Sequence, residues 1–319
     1  MNAVRATHCT HEVCGAWPRP QRASSMAPGA SERRGAGAAA FSSPLSAGGA
    51  TATLNGAGFE MGAESPLLRA CVDGALAVAR EASAAPLLLD CGCAYGLNAR
   101  AALRELSAGS ARPPRVVAAD MEVGHLEAVN KLGLAGVVTA HCKLPDELPT
   151  AEARDAGAIL VADVLHFLEP AQVDASLAAL AQLLSPGGVI CATAMSPHSG
   201  PCAPGRCEAG ERFTAEYRAR KAAKVAWPGA DLLAISDSLE QQLLAQGTPL
   251  EQARELAARA PTSMTLVEPN DLAGAARRAG LEVVSAELCH HPGYPPFLAN
   301  LEGPGDCAAL VARRPKARD

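Results

Sequence analysis

Three aspartates stand where apolar runs end: Asp90 after Leu87-Leu88-Leu89, Asp120 after Val116-Val117-Ala118-Ala119, and Asp163 after Ile159-Leu160-Val161-Ala162. A carboxylate about thirty residues beyond a small-residue turn is placed to accept both hydroxyls of a ribose, which is the position of Asp120. The turn itself is Cys91-Gly92-Cys93-Ala94-Tyr95-Gly96. Its small residues leave room for something large to lie against the backbone, so the strand, the turn and the helical pattern that follows form a seat for a nucleotide-like ligand. His166, three residues past Asp163, carries an imidazole that titrates near working pH and is a candidate general base or substrate contact; packing against backbone is the plainer reading. Phe213 and Tyr217, four apart on one helix, are either a substrate-facing pair or core.

The elements that must position these groups follow from periodicity and punctuation. Ser65-Pro66 opens a helix through Leu67, Cys71, Ala75 and Val78, and the unbroken run at 87–89 reads as a strand buried on both faces. Helices are expected at Asn98–Leu106, Glu122–Leu132, Gln172–Leu184 and Asn270–Ala279. Strands are expected at Gly136–Ala140, Ala158–Asp163, Val189–Ala194, Leu281–Leu288 and Cys307–Ala312, with Pro186-Gly187-Gly188 as a break. Alternation of this kind implies parallel strands joined by right-handed crossovers, and ligands in such sheets bind beyond the carboxyl ends of the strands. Residues 197–265 interrupt the alternation with helical patterns at Glu211–Val225, Leu232–Gln246 and Leu250–Arg259. They are expected to form a helical lid insertion after strand five. His290 and His291 fall in the Pro-rich loop between the last two strands and are expected to be exposed.

Composition removes several function classes. The formal charge is −5, from 28 Lys+Arg against 33 Asp+Glu, and aromatics are 3%, so neither a broad basic surface nor stacking platforms exist for nucleic acid. No apolar run approaches the roughly 20 residues that span a bilayer, so no membrane partner is expected. Eleven cysteines are scattered and odd in number, which fits a reducing compartment rather than a disulfide scaffold. Two groupings have a metal-like flavour: His8, Cys9, His11 and Cys14 lack a flanking core, and His198, Cys202 and Cys207 lack a fourth ligand, so no metal is expected. Residues 1–57, rich in Ala, Ser, Gly, Pro and Arg, read as a disordered or targeting extension, and 58–319 as the folded domain with its insertion at about 197–265. The expected location is the cytoplasm, or a plastid or mitochondrion if the extension is a transit peptide.

Four segments in order resemble the class I S-adenosylmethionine-dependent methyltransferases of the small-molecule group. They are Leu88-Leu-Asp-Cys-Gly-Cys-Ala-Tyr-Gly96, Val117-Ala-Ala-Asp120, Ile159-Leu-Val-Ala-Asp-Val-Leu-His-Phe167 and Leu183-Leu-Ser-Pro-Gly-Gly-Val-Ile190; Glu268-Pro-Asn-Asp-Leu-Ala through Ala279-Gly-Leu-Glu-Val-Val284 is familiar from the same group. The resemblance implies a Rossmann-like, seven-stranded, mostly parallel sheet with helices on both faces, and methyl transfer from S-adenosyl-L-methionine to a small-molecule acceptor by in-line displacement. It implies that Asp90 and the turn through Gly92, Cys93, Ala94 and Gly96 hold the methionine part, Asp120 the ribose and Met121 the adenine face. Asp163 is implied near the ammonium or the methyl group, and His166 and Tyr217 are the catalytic candidates. Where that group has glycine this chain has Ala94, a tolerable change if its φ is negative. Where many members place an acid after strand three, this chain has Ala140-His141-Cys142-Lys143, so backbone, His141 or Cys142 must serve the adenine. A nicotinamide-dependent oxidoreductase is the alternative, weakened because Leu97 stands where its third glycine belongs; a catalytically idle cofactor-binding module is another.

Overall fold

Seven apolar runs become strands of one sheet: β1 Leu87–Cys91, β2 Arg115–Asp120, β3 Val137–His141, β4 Ala156–Ala162, β5 Leu184–Met195, β6 Glu282–Cys289 and β7 Cys307–Arg313. In this computed structural model residues 46–47, 49–54, 56, 58–203, 208–230, 235–245, 247–259, 261 and 264–316 are described, all within a unit spanning 42–319. The sheet order is 3-2-1-4-5-7-6. β1 to β5 pair in parallel, and β7 runs antiparallel between β5 and β6. The strand order reverses between β1 and β4, so a crevice opens at their carboxyl ends.

Side chains alternate across the sheet and each face is covered. Leu89, Val117, Ile159, Val161 and Ile190 pack with helices α5 (Pro170–Leu183) and α9 (Pro269–Arg278). Leu88, Val116, Leu160 and Cys191 pack with α1 (Leu68–Glu81), α2 (Leu97–Gly109) and α3 (Val123–Lys131). Helix α4 (Thr150–Ala153) is a single turn on the way to β4. Local chemistry starts these helices: Glu169 and Glu268 make capping boxes with Gln172 and Asp271, each ahead of a proline in the first turn. No helix among the described residues is long and apolar enough to cross a membrane.

Three differences from the sequence reading have local causes. β5 begins at Leu184, because Pro186-Gly187-Gly188 is absorbed as an irregular start whose register against β4 shifts between Ala156 and Ala158. Helix α1 begins at Leu68, leaving Ser65 to take the Leu67 amide ahead of it. Regular structure starts upstream of Gly58, where an antiparallel ribbon of Ser46–Ala47, Ala50–Ala52 and Phe59–Glu60 forms. The N-terminal His/Cys grouping and Cys207 lie outside the described residues, and no group of three metal-binding side chains occurs among those described.

The insertion after β5 is helical: α6 (Glu208–Ala222), α7 (Ile235–Ala245) and α8 (Leu250–Arg259). Its apolar residues Phe213, Leu239, Leu243 and Leu256 join Met195, Phe297 and Leu298 in a separate core.

Candidate functional site

The β1 strand ends in a turn whose backbone geometry sets everything around it. Gly92 has φ +83° and Gly96 φ +87°, both left-handed, and a side chain at 92 would meet Val164 Cγ2 at 2.3 Å. Ala94 also has a positive φ, +44°, so the glycine-to-alanine departure is accommodated with strain rather than by a negative φ. The amides of the turn are already engaged: Gly92 and Cys93 donate to Ala119 O, Gly96 to Cys93 O, and Ala94 to Asp120 Oδ2 at 2.9 Å. These four amides therefore meet a ligand by shape and not by donating hydrogen bonds.

Asp120 sits at the tip of β2, 7% exposed, with its oxygens aimed by the protein. Oδ1 accepts the Glu122 amide at 2.9 Å and lies 3.1 Å from His125 Nδ1. Burial alone would push this carboxyl up, but the His125 side chain and the Glu122 and Ala94 amides outweigh it and hold it below the usual carboxylate range. His125 Nε2 accepts the Leu54 amide at 3.0 Å, so the proton of the neutral ring resides on Nδ1, close to Asp120 but without a well-directed hydrogen bond. The Tyr95 hydroxyl donates to Ala52 O at 2.8 Å, and the Leu97 amide donates to Glu60. Together these contacts fasten the N-terminal ribbon over the turn.

A cavity of about 360 Å³ opens between these groups and β4. Its wall includes Gly92, Ala94, Asp120, Met121, Cys142 and Asp163, all expected from the sequence. Three expected residues are not on it. Gly96 caps α2 behind the turn, and Cys93 is buried, its thiol pushed up chiefly by burial and by Asp90, hence inert. Asp90 is the third: fully buried, with neither oxygen in a hydrogen bond. Burial first, then Glu60 and Asp120, push its carboxyl from 3.8 up to about 7; the Ala99 amide, short of good hydrogen-bond geometry, offsets little. Asp90 stands one residue before the turn as a buried acid without a partner, so a positive charge brought near it is favoured.

A second cavity, about 50 Å³ and almost wholly apolar, adjoins the first. Met61, His166, Met195, Leu239, Leu256 and Phe297 contribute to it, and Gly58, Phe59, Asp163 and Phe167 line both. His166 Nδ1 accepts the Met195 amide at 3.2 Å, so the neutral ring carries its proton on Nε2. Burial lowers its pKa to about 4, against the opposing pull of Asp163. His166 is thus a neutral hydrogen-bond donor on the cavity wall and a poor base.

The sequence reading missed Tyr294 and His291. Tyr294 donates to Asp163 Oδ1 at 2.8 Å, and His291, expected to be exposed, is buried with Nε2 3.3 Å from Asp163 Oδ2. The signal available was a His/Tyr/Pro loop before the last strand. Tyr217 is the converse: it is stacked on Phe213 at 5.8 Å, bonded to Glu268 and Lys221, and lines a third hollow with His198 and Arg218, away from both cavities above. Its hydroxyl serves the packing of α6 on the start of α9.

Residues 89–192 match the family model described as a methyltransferase domain. No curated protein matches the chain. Among solved structures it is similar to an S-adenosylmethionine-dependent methyltransferase from Mesorhizobium loti, with 19% identity and TM-score 0.48 over 78% of this chain and 96% of that one. It is also similar to one from Methanosarcina mazei, with 11% identity and TM-score 0.46 over 72% of this chain and 92% of that one. A third is human N-acetylserotonin methyltransferase in complex with SAM, with 14% identity and TM-score 0.41; 79% of this chain is covered, and it spans 52% of that protein.

Proposed function

We propose that this chain, whose residues 89–192 match a methyltransferase domain, is an S-adenosylmethionine-dependent methyltransferase in which the larger cavity takes the cofactor and the adjoining apolar cavity a small, mostly apolar methyl acceptor. The single observation that carries this reading is the junction of the two cavities at Asp163, since a methyl group has to cross where donor and acceptor sites touch. The residues fit the cofactor: Asp120 presents a fixed carboxylate to a ribose, Met121 and Cys142 flank the adenine side, and buried Asp90 supplies uncompensated negative charge beneath the methionine end.

When bound, S-adenosylmethionine supplies an electrophilic methyl group on a sulfonium. The protein's task is then alignment and exclusion of water, which for well-placed reactants supplies on the order of 7–11 kcal/mol. His166 Nε2–H orients a lone pair of the acceptor, and the aliphatic and aromatic wall strips it of solvent. Helices α7 and α8 act as the lid, since Leu239 and Leu256 close the apolar cavity; at about 50 Å³ it must open to admit more than a few atoms. The family match leaves the nicotinamide alternative without support.

Calorimetry with S-adenosylhomocysteine tests the cofactor assignment. Micromolar binding is expected, weakened about tenfold or more by Asp120→Ala; an unchanged affinity in that variant removes the ribose contact, and no binding by the parent chain removes the reading altogether.

A further inference from the structure

Asp163 is held more elaborately than a strand-end aspartate needs. Its φ is +56°, in the left-handed region that few residues other than glycine, asparagine and aspartate tolerate. Its amide donates to both Thr193 O at 3.0 Å and Thr193 Oγ1 at 3.2 Å, which fixes the backbone. Its side chain is 7% exposed and each oxygen faces a donor: the Tyr294 hydroxyl on Oδ1 and His291 Nε2 on Oδ2. His291 Nδ1 accepts the Gly293 amide at 3.0 Å, so the proton of the neutral imidazole lies on Nε2, the nitrogen nearer the carboxylate. The His291 ring stacks on Tyr294 at 4.7 Å, and its amide is tied to Asp306 Oδ1 at 2.9 Å. Burial raises Tyr294 well above the usual phenol range, which keeps it a donor. The Tyr294 hydrogen bond on one oxygen and the buried His291 ring beside the other prevent the carboxylate from swinging.

Among the described residues, Asp163 is the one charged side chain on the wall that the cofactor and acceptor cavities share. We propose that Asp163 reads the charge of the cofactor's sulfur: its carboxylate faces the sulfonium and makes the protein prefer the cationic donor to the neutral thioether left after transfer, with Tyr294 and His291 as the residues that position it. This inference rests on the cofactor assignment above. The sulfonium bearing the methyl group belongs at the shared wall, whereas the ammonium group belongs nearer the β1 turn, within the field of Asp90. Attraction between carboxylate and sulfonium is enhanced where the wall is apolar and water is scarce, and it disappears when the sulfur becomes neutral. Product is thereby released in favour of fresh donor.

The test is calorimetric and needs no acceptor. Dissociation constants for S-adenosylmethionine and S-adenosylhomocysteine are measured on the full chain, on Asp163→Asn and on Tyr294→Phe. Asparagine tolerates the left-handed backbone, and the tyrosine variant decides the matter should the first fail to fold. In Asp163→Asn the preference for the sulfonium over the thioether is expected to fall about tenfold, while the thioether affinity stays within about twofold; in Tyr294→Phe the preference falls about threefold. Equal weakening of both ligands overturns the proposal by placing the carboxylate on a part they share. Unchanged affinities overturn it by turning the carboxylate to the acceptor alone. If neither ligand binds the parent chain, the cofactor assignment itself has failed, a result distinct from both.

Discussion

Replacing Asp90 by asparagine should make the protein more stable at neutral and alkaline pH and leave it little changed near pH 5. The carboxyl is fully buried, has no hydrogen-bond partner, and is pushed from 3.8 to about 7 by burial and by Glu60 and Asp120. A shift of three units at about 1.4 kcal/mol each is about 4 kcal/mol, the cost of ionising Asp90 inside the fold rather than in the unfolded chain. Because the folded state holds this proton more tightly than the unfolded state does, stability is greatest below pH 4. It is lost progressively as the pH rises to about 7, and is flat beyond. Between pH 5 and pH 8 the Asp90 contribution alone falls by about 3 kcal/mol. Asparagine has nearly the same shape but no charge; its unsatisfied amide costs about 1–3 kcal/mol, so the net gain at pH 8 should be about 2 kcal/mol, or roughly 4 °C in Tm for a chain of this size. Urea titrations of both proteins at pH 5 and pH 8 measure the double difference, which cancels every other titrating group. A double difference near zero, or a variant less stable at pH 8, would refute the reasoning and show that Asp90 is compensated. Weaker cofactor binding by the more stable variant is the expected counterpart, since a destabilised charge is being kept for the ligand.

Other consequences are smaller but as definite. Ala94→Gly should stabilise the fold by about 1 kcal/mol by relieving a left-handed alanine, measured by thermal melting at fixed pH; a loss of stability would mean that the chain's added freedom outweighs the strain. His166 titrates in the opposite sense to Asp90: its folded pKa of about 4 lies below the ordinary 6.5, so stability is full above that and declines as pH falls toward 4. From pH 7 to pH 5 that amounts to about 2 kcal/mol, and His166→Asn, melted at both pH values, should lack this component. A variant with the parent's full acid sensitivity would show that His166 is not the group responsible.

Much of the fold was legible because its signals are local. Buried parallel strands announce themselves as unbroken apolar runs, helices by spacing and by prolines and acids at their starts, and the alternation of the two leaves few topologies. The positions of Asp120 and Asp163 at strand ends belong to the same kind of information. The period of two along β1 also bears on Asp90: it shares a side of the strand with Leu88, whose neighbours are α1 and α2, whereas Cys91 points with Leu89 and reaches the cavity. Read strictly, that alternation separates Asp90 from the wall, even though it stands one residue before the turn.

What the sequence determined by itself, then, is the sheet, its crevice and the acidic tips around it, since these depend on hydrophobic periodicity and turn chemistry within some twenty residues. Only the tertiary structure decided which groups meet there. Tyr294 and His291 reach Asp163 across 131 and 128 residues of chain, Leu54 reaches His125 across 71, and Tyr217 is drawn away to Glu268. Partners so distant leave no periodic trace, because a hydrogen bond between side chains is chosen by how loops pack at the rim of the sheet. The protonation states follow from the same packing: His166 neutral, Asp90 raised and Asp120 lowered are properties of burial and neighbours, which a residue acquires only when the chain has closed around it.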